Sequence, residues 1–384
     1  MKWKDIKNVR GLRSVGTIGS SNIIGTTITA VFWILIAGII GTDSYGELSY
    51  FLAIIGISSV IVNYGGGYAM QVYTAKGVKI ESSLYFLGII TSTVAGIILF
   101  LIFENFGVSI SVVGIVAFNF ILFETLGKKL YKKYFKIFVV HKILFVILAF
   151  ALYSAFGPEG ILAGYGVSML LFSQIIYKSF KNNKVNFSII RERKKFLFHN
   201  WIADLSATAR NHIDKLIIAP LLGFSVLGNY FVGLQIMELM LIIPVIVFKY
   251  TLHEDSIGES TGKIKILTIV VSFFIMLLGI FVAPLVIPII LPAYATTVDL
   301  IPILSLAVIP RTISIMIFSS FLGQEKTKFV LVGNVITFCV LAISIFPLSE
   351  LFEVTGIAIA YVIGFSSSTV YLVAKYLQLR SKNN

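Results

Sequence analysis

Residues 16–72 read GTIGSSNIIGTTITAVFWILIAGII, then GTDSYGE, then LSYFLAIIGISSVIVNYGGGYAMQV. Two long apolar runs flank one short polar turn. A helix needs about 20 mostly apolar residues to cross the hydrocarbon core of a bilayer, so this stretch predicts two spanning helices joined by a tight turn. The same alternation continues to the C-terminus and predicts about twelve spans. They lie at 16–40, 48–72, 83–103, 107–126, 139–156, 161–178, 197–221, 226–248, 266–290, 299–321, 328–348 and 355–376.

The composition agrees with a membrane protein. The chain has 384 residues, of which 57% are hydrophobic and 13% charged, and its mean hydropathy is +0.95. A soluble domain has too little polar surface to cover so many apolar side chains. We therefore expect an all-α polytopic membrane protein.

Motifs for catalysis or metal binding are absent from the sequence. There is no phosphate-binding G-x-x-x-x-G-K-[ST] loop, no H-E-x-x-H and no G-x-S-x-G. The single cysteine, Cys339, lies in an apolar run, and the chain has four histidines. We expect no catalytic residues, no metal site and no cofactor, and hence a protein that is not an enzyme.

The basic residues predict the orientation of the chain in the membrane. If the N-terminus is cytoplasmic, all but three of the 31 Lys and Arg residues fall in cytoplasmic segments. Both termini are then cytoplasmic. The net charge of +13 reflects this bias and an attraction to anionic lipid heads, and it does not indicate nucleic acid. The outer loops hold acidic residues instead, namely Asp43, Glu47, Glu104, Glu159, Asp299, Glu350 and Glu353.

Two ungapped internal matches indicate a repeat. The first match aligns the end of span 1 with the end of span 7, and the second aligns segments that lead into spans 6 and 12. These matches predict two six-helix bundles related by a pseudo-two-fold axis along the membrane normal. We expect an N-terminal bundle at 1–180, a basic cytoplasmic linker at 181–195 and a C-terminal bundle at 196–384. The matched residues are Ile36-Ala37, Gly41 and Gly46 with Ile218-Ala219, Gly223 and Gly228, and Leu126-Gly127, Gly160-Ile161 and Tyr165 with Leu322-Gly323, Gly356-Ile357 and Tyr361.

The seventh span is unusually polar. At 100° per residue, Asp204, Asn211 and Lys215 fall on one stripe. Asp214 lies beside the stripe, and Arg210 precedes it by one helical turn. Ionisable residues inside a bilayer normally face the bundle interior or a wet cavity, so the stripe should line a central cavity.

Three charges are predicted near the middle of the membrane: Arg210, Glu238 in span 8, and Arg311 in span 10. Arg311 follows Pro310, which favours a kink. Arginine suits a phosphate or pyrophosphate because its planar fork donates two parallel hydrogen bonds. We therefore assign substrate binding to Arg210, Arg311, Lys215 and Asn211, and charge balance or coupling to Glu238, Asp204 and Asp214.

Structural alternatives remain open at these positions. Arg210 with Asp214, and Arg311 with Glu238, could be ion pairs that fix helix packing. Lys215 lies near the outer interface and could extend to it. The run Asn63–Gly67 in span 2 could unwind the helix, although such glycines more often permit close helix packing, which we favour.

Three features together resemble one superfamily. They are the twelve spans in two halves, the turn Leu222-Gly223 … Leu227-Gly228-Asn229-Tyr230 after a polar helix with Asp214-Lys215, and the pair Gly160-Ile161 that opens span 6. The chain resembles the multidrug/oligosaccharidyl-lipid/polysaccharide (MOP) exporters, in particular the O-antigen (Wzx-type) flippases. The resemblance implies alternating access in the bacterial inner membrane. It also implies export of undecaprenyl-pyrophosphate-linked oligosaccharide, with membrane lipid and other polysaccharide-assembly proteins as partners.

Two other functions remain possible at this stage. The first is a cation-coupled multidrug antiporter of the same superfamily, driven by protons, sodium or the membrane potential. It would require a cavity with net negative charge. The second is a membrane-embedded polysaccharide polymerase or glycosyltransferase, which would need a large loop or an acidic metal motif. Short loops and the midplane arginines favour the flippase.

Overall fold

A computed structural model describes residues 12–256, 259–324 and 326–381, and in these ranges the chain forms helices and no strand. The helices are α1 Leu12–Asn63, α2 Gly66–Ala75, α3 Glu81–Phe103, α4 Phe106–Gly127, α5 Tyr131–Phe156, α6 Pro158–Leu170, α7 Gln174–Asn182, α8 Phe187–Glu192, α9 Lys194–Leu222, α10 Phe224–Met240, α11 Ile242–Ser256, α12 Gly262–Phe281, α13 Ala283–Ile290, α14 Ala295–Leu306, α15 Val308–Gly323 and α16 Thr327–Ser381.

The helices account for each of the predicted spans. Helix α1 contains span 1 and most of span 2, separated at Gly41 (φ 77°, ψ 174°), and α2 completes span 2. Helix α16 contains spans 11 and 12, separated at Glu353 (φ 51°, ψ −133°). Span 7 is α9, span 8 is α10 with α11, and span 10 is α14 with α15. The all-α fold with about twelve membrane helices is confirmed.

Length and composition alone identify fewer spans in the described part of the chain. Seven helices qualify, or nine if each of the bent pairs α10–α11 (47°) and α14–α15 (41°) is one span. The difference from twelve arises because α1 and α16 each count once. In addition, α9 is too polar to qualify. The chain is a multi-pass membrane protein.

The backbone repeats itself at the positions that the sequence matches indicated. Gly41 (φ 77°, ψ 174°) and Gly223 (φ 87°, ψ 167°) have nearly the same conformation. Gly157 (φ 62°, ψ −149°) corresponds in the same way to Glu353 (φ 51°, ψ −133°). Positive φ is costly for residues other than glycine. Glu353 therefore adopts the turn conformation of the repeat at a position where glycine would be favoured.

The two repeated glycine turns also contact each other. A Cβ atom on Gly46 would lie 1.9 Å from the carbonyl oxygen of Phe224, and one on Gly228 would lie 2.0 Å from that of Thr42. Because Thr42 corresponds to Phe224 and Gly46 to Gly228, the contact is reciprocal, as at an isologous interface. The Ser225 hydroxyl donates a hydrogen bond to Thr42 Oγ1 at 3.1 Å. Only glycine permits this close backbone approach.

The chain forms two compact units. One comprises residues 1–32 and 54–208, and the other comprises 33–53 and 209–384. Within the first unit, α4 packs against α3 and α6, and α6 packs against α5. Within the second, α15 packs against α11 and α16, and α14 packs against α10. The division at 1–180, 181–195 and 196–384, which rests on the repeat, stays a prediction.

Two local interruptions differ from what the sequence suggested. The kink in span 10 separates Leu306 from Val308 and so precedes Pro310. Pro310 is the third residue of α15, where a backbone N–H has no acceptor within its own helix. In span 2, Tyr64 (φ 49°) and Gly65 (φ 68°) break the helix. Close packing also occurs there, since a Cβ atom on Gly65 would lie 2.2 Å from the Leu197 carbonyl oxygen.

Candidate functional site

A chain of polar side chains runs through the second compact unit. It joins α9, α10, α15 and both halves of α16. Of the residues that the sequence singled out, Arg210, Arg311, Glu238, Asp214 and Lys215 belong to it. These side chains form three hydrogen-bonded groups. One is centred on Arg311, one on Lys215, and the third is Arg210 with Asn334. Asp204 lies on α9 in the first unit, and Asn211 contributes its backbone carbonyl.

Arg311 is held by two acceptors. Its guanidinium donates to Glu238 Oε1 at 2.5 Å and to the Tyr361 hydroxyl at 3.0 Å. The Arg311 side chain is 14% exposed, whereas that of Glu238 is 54% exposed. The pair that the sequence offered as a structural alternative therefore exists, but its acidic partner remains largely accessible. A carboxylate with that exposure can rearrange without a large desolvation cost.

Whereas Arg311 has two hydrogen-bond acceptors among the described residues, Arg210 has one. Its guanidinium donates to Asn334 Oδ1 at 2.9 Å, and its Nε atom is buried without an acceptor among the described residues. The ion pair with Asp214 that the i, i+4 spacing suggested does not form, because Asp214 is bound elsewhere. The guanidinium carbons of Arg210 and Arg311 lie 5.8 and 5.0 Å from the centre of the Phe365 ring. The aromatic ring thus stabilises two like charges next to each other.

Lys215 and Asp214 form a closed group. Lys215 Nζ donates to Asp214 Oδ1 at 3.1 Å and to the Asn211 carbonyl at 2.9 Å. The Tyr230 hydroxyl donates to Asp214 Oδ2 at 2.8 Å. Asp214 is 2% exposed and Lys215 is 7% exposed. Such a paired and buried group is electrically neutral and has the character of a packing element.

A cavity of about 290 Å³ opens beside the arginines in the second unit. Three cationic side chains, Arg210, Lys249 and Arg311, are among the residues that line it, and none of the lining residues is acidic. Phe248, Phe318 and Phe365 contribute aromatic walls, and Ser314, Thr337 and Ser368 contribute hydroxyl groups. Apolar walls with a few convergent polar groups are typical of a small-ligand site.

Lys249 is the residue that sequence reasoning missed. The last apolar residue before it is Phe248, so Lys249 was assigned to a cytoplasmic loop. In the structure α11 continues to Ser256, which places Lys249 well inside a helix. Its ammonium group forms no ion pair with any residue that the structure describes. In the sequence, Lys249 follows Val245 of span 8 by one helical turn, and this spacing was the available signal.

Asp204 also lacks a partner. It is half-buried on α9 and makes no hydrogen bond or ion pair with another residue in the described ranges. Its predicted role in charge balance or coupling stays a prediction. The same holds for Asn211, whose side chain is exposed.

The fold is shared with transporters of known structure. No protein-family model and no curated protein sequence matches the chain. The lipid II flippase MurJ in an inward closed conformation is similar with a TM-score of 0.79 and 14% identity, over 94% of this chain and 87% of MurJ. An inward-facing multidrug resistance MATE family transporter of the MOP superfamily is similar with a TM-score of 0.71 and 14% identity, over 93% of this chain and 95% of that one.

A third structure is a MOP superfamily transporter from Pyrococcus furiosus, with a TM-score of 0.62 and 14% identity over 97% of this chain and 96% of that one. Reverse polarity of its binding pocket suggests a different function for that protein. Sequence identities this low show the fold alone. The chain has the fold of the MOP superfamily transporters.

Proposed function

We propose that this chain is a flippase that moves undecaprenyl-pyrophosphate-linked oligosaccharide across the bacterial inner membrane by alternating access. The observation that supports the proposal best is the cavity lined by Arg210, Lys249 and Arg311 without an acidic lining residue. Glu238 pairs with Arg311 from outside the lining, and Arg210 and Lys249 form no ion pair with a described residue, so the cavity keeps a net positive charge that attracts an anionic group and repels an organic cation. Within this fold, the proposal assigns the chain to the O-antigen branch.

The donors that remain available favour a phosphate-containing ligand. Arg210 Nε has no acceptor in the described residues, and the Lys249 ammonium group likewise has none. Arg210 Nε is buried, and a buried donor without an acceptor is unfavourable, whereas Lys249 is half-buried and adds a charge; an anion that accepts from both would therefore be bound strongly. The cavity volume of about 290 Å³ is near the lower end of the range for small-ligand sites. We assign it to the pyrophosphate rather than to the sugars.

The proposal is tested by glycan export in a strain from which the gene has been deleted. Arg210→Gln and Lys249→Gln should each abolish export or reduce it by about tenfold or more, because one donor to the pyrophosphate is lost. Arg210→Lys should restore part of the export, since it keeps the charge but loses the fork. Arg191→Gln is the matched control, because Arg191 is an exposed cation on the short helix α8.

Membrane abundance is measured for every variant in the same cells. A variant that is present at wild-type level and has lost export supports a role in binding. Wild-type export by both Arg210→Gln and Lys249→Gln would contradict the proposal. The deletion strain should also accumulate undecaprenyl-linked sugar on the cytoplasmic leaflet.

A second candidate function is supported by Asp204. An unpartnered carboxylate on α9 is suited to an organic cation or a coupling ion, and MATE transporters share the fold. If the chain is a cation-coupled multidrug antiporter, Asp204→Asn should abolish drug efflux, and deletion of the gene should leave glycan export unchanged. The flippase predicts the reverse pattern. Drug susceptibility and glycan export measured on the same variant therefore separate the two.

The orientation in the membrane belongs to the same proposal. Cysteines at the exposed positions Asp43, Glu104 and Glu350 should react with an impermeant reagent from outside, in a Cys339→Ser background. Cysteines at the exposed positions Lys79, Lys129 and Lys194 should be protected. Reversed labelling at two sites would contradict cytoplasmic termini.

A further inference from the structure

A mainly apolar cavity of about 360 Å³ opens in the first compact unit. One of its walls is a stripe on α3 that consists of Leu84, Leu87, Gly88 and Thr91. These four residues have the i, i+3, i+4, i+7 spacing of one helical face, and they extend about 10 Å along the helix axis. We call this elongated cavity the apolar slot.

A second stripe, on α8 and α9, also lines the apolar slot. It contains four apolar or aromatic residues and one lysine at helical spacing, and it extends about 10 Å along α9. These residues are Ile190, Lys194, Leu197, Phe198 and Trp201. The ring of Tyr64 lines the slot as well. Because Tyr64 and Phe198 are exposed, the slot is open along one side.

Contacts between the walls define the two ends of the apolar slot. At one end, the backbone N–H of Asn186, which precedes α8, donates to the Ser83 hydroxyl at 2.8 Å. At the other end, Thr91 Oγ1 and Trp201 Nε1 donate to two carbonyl groups near the end of α1, at 2.9 and 3.1 Å. The first end therefore holds the beginnings of α3 and α9.

Lys194 places a positive charge at this first end. It is the first residue of α9, its side chain is exposed, and it makes no hydrogen bond or ion pair within the described ranges. Of the described residues that line the slot, none is acidic. Two spanning helices begin here, so the charge lies at the membrane surface, at the depth of the lipid headgroups.

We propose that the apolar slot holds a hydrocarbon chain of an anionic glycerophospholipid, and that the phosphate of this lipid binds the Lys194 ammonium group. The walls bury an apolar chain along their length, and the phosphate supplies the acceptor that Lys194 lacks. A lipid with net negative charge neutralises the lysine, whereas a zwitterionic lipid brings its own cation. The volume of about 360 Å³ is near the lower end of the range for small-ligand sites and suits one chain.

This site differs in chemistry from the cationic cavity of the second unit. That cavity presents three cations and several hydroxyl groups to a polar ligand. The apolar slot presents one cation at the end of a long apolar surface. The inference does not rest on the proposed function, and it makes the first unit the one that responds to the lipid composition of the membrane.

The test uses Trp201 as a reporter, because its ring lines the slot. The purified full-length protein is reconstituted in phosphatidylcholine vesicles that contain increasing fractions of a lipid with brominated chains. Bromine quenches tryptophan fluorescence only at close contact. The difference in fluorescence between the wild type and Trp201→Phe isolates the signal of Trp201 from that of the other tryptophans.

Brominated phosphatidylglycerol should quench Trp201 half-maximally at a mole fraction about fivefold lower than brominated phosphatidylcholine, as for one lysine charge at an anionic membrane surface. Lys194→Gln should abolish this preference, and Lys194→Arg should keep it. Lys195→Gln is the matched control, because Lys195 is an exposed neighbour that does not line the slot. It should keep the preference within about twofold.

A second pair of variants tests the apolar part of the site. Leu87→Phe should reduce the quenching of Trp201 by both brominated lipids, because the larger ring occupies part of the slot. Phe86→Leu is its control, since Phe86 is exposed on the neighbouring face of α3 and does not line the slot. It should be quenched as the wild type is.

Three outcomes would overturn the proposal. Equal quenching of the wild type by the two brominated lipids would mean that ordinary boundary lipid covers the slot. A wild-type preference in Lys194→Gln would exclude the lysine as the phosphate ligand. Displacement of brominated phosphatidylglycerol by soluble glycerol phosphate would assign the site to a free phosphate. Since the vesicles contain no lipid-linked oligosaccharide, none of these results bears on the flippase proposal, and loss of export in Arg210 variants does not bear on the lipid site.

Discussion

Arg210 and Lys215 lie five positions apart on α9, and their surroundings are opposite. Lys215 has a carboxylate and a backbone carbonyl as acceptors, and its counter-ion Asp214 is bound in turn by Tyr230. Arg210 has one neutral acceptor and a buried Nε atom with none in the described residues. Removing one partner of a completely paired buried charge destabilises the fold, whereas a buried charge with incomplete partners is available to a ligand. The same helix thus carries both kinds.

The largest effect on stability is expected from Asp214→Asn. It leaves the Lys215 ammonium group buried without a counter-charge, which costs about 3–5 kcal/mol of the free energy of unfolding. Chemical denaturation in detergent measures the loss. Asp43→Asn, a change at an exposed acid, is the control. The double change Asp214→Asn with Lys215→Met should recover most of the stability. If Asp214→Asn alone has a free energy of unfolding within about 1 kcal/mol of wild type, the distinction between Lys215 and Arg210 does not hold.

An intermediate effect is expected from Arg311→Ala. The Tyr361 hydroxyl loses its charged partner, at a cost of about 1–3 kcal/mol. Glu238 adds little, because its side chain is 54% exposed and stays hydrated. The double change Arg311→Ala with Glu238→Ala should therefore be no more stable than the single one. A clear recovery in the double variant would show instead that the ion pair is a packing element like that of Lys215.

The smallest effect on stability is expected from Arg210→Ala, at about 1 kcal/mol or less. It removes a cation–π contact and the hydrogen bond to the buried Asn334 side chain, but it also removes an unsatisfied buried donor and a buried charge without an ion pair among the described residues. Thermal unfolding of this variant should therefore lie close to that of wild type, although its export is lost. A destabilisation as large as that of Asp214→Asn would place Arg210 among the structural charges and argue against its role in the cavity.

The architecture was accessible from the sequence because the spans and the repeat are linear patterns. Hydrophobic length and the basic-residue bias fixed the spans, and the paired glycines indicated the repeated hairpins. Side-chain partners were less accessible, since helical periodicity gives the face of a residue but not its neighbour on another helix. The spacing favoured Arg210 with Asp214. In the structure Asp214 instead accepts from Tyr230 and Lys215, and Arg210 donates to Asn334, which is 124 positions away.

Lys249 was missed for a related reason. Hydropathy ends a span where the first charge appears, but a helix continues as long as its backbone hydrogen bonds do. A lysine near the end of an apolar run can lie along apolar surface and direct its ammonium group into a cavity. Charges within one or two turns of a predicted boundary therefore need three-dimensional information before they are assigned to a loop.

The reciprocal contact of Gly46 and Gly228 has a consequence for the history of the chain. If the repeat arose by duplication of a gene, the two copies have since diverged over most of their length. At this contact each turn restricts the residue that the other can carry, because a side chain at either glycine would collide with the backbone of the opposite turn. Mutational drift is therefore blocked at both positions by the same few atoms. An ancestor that paired two identical copies would have placed the same glycine on each side.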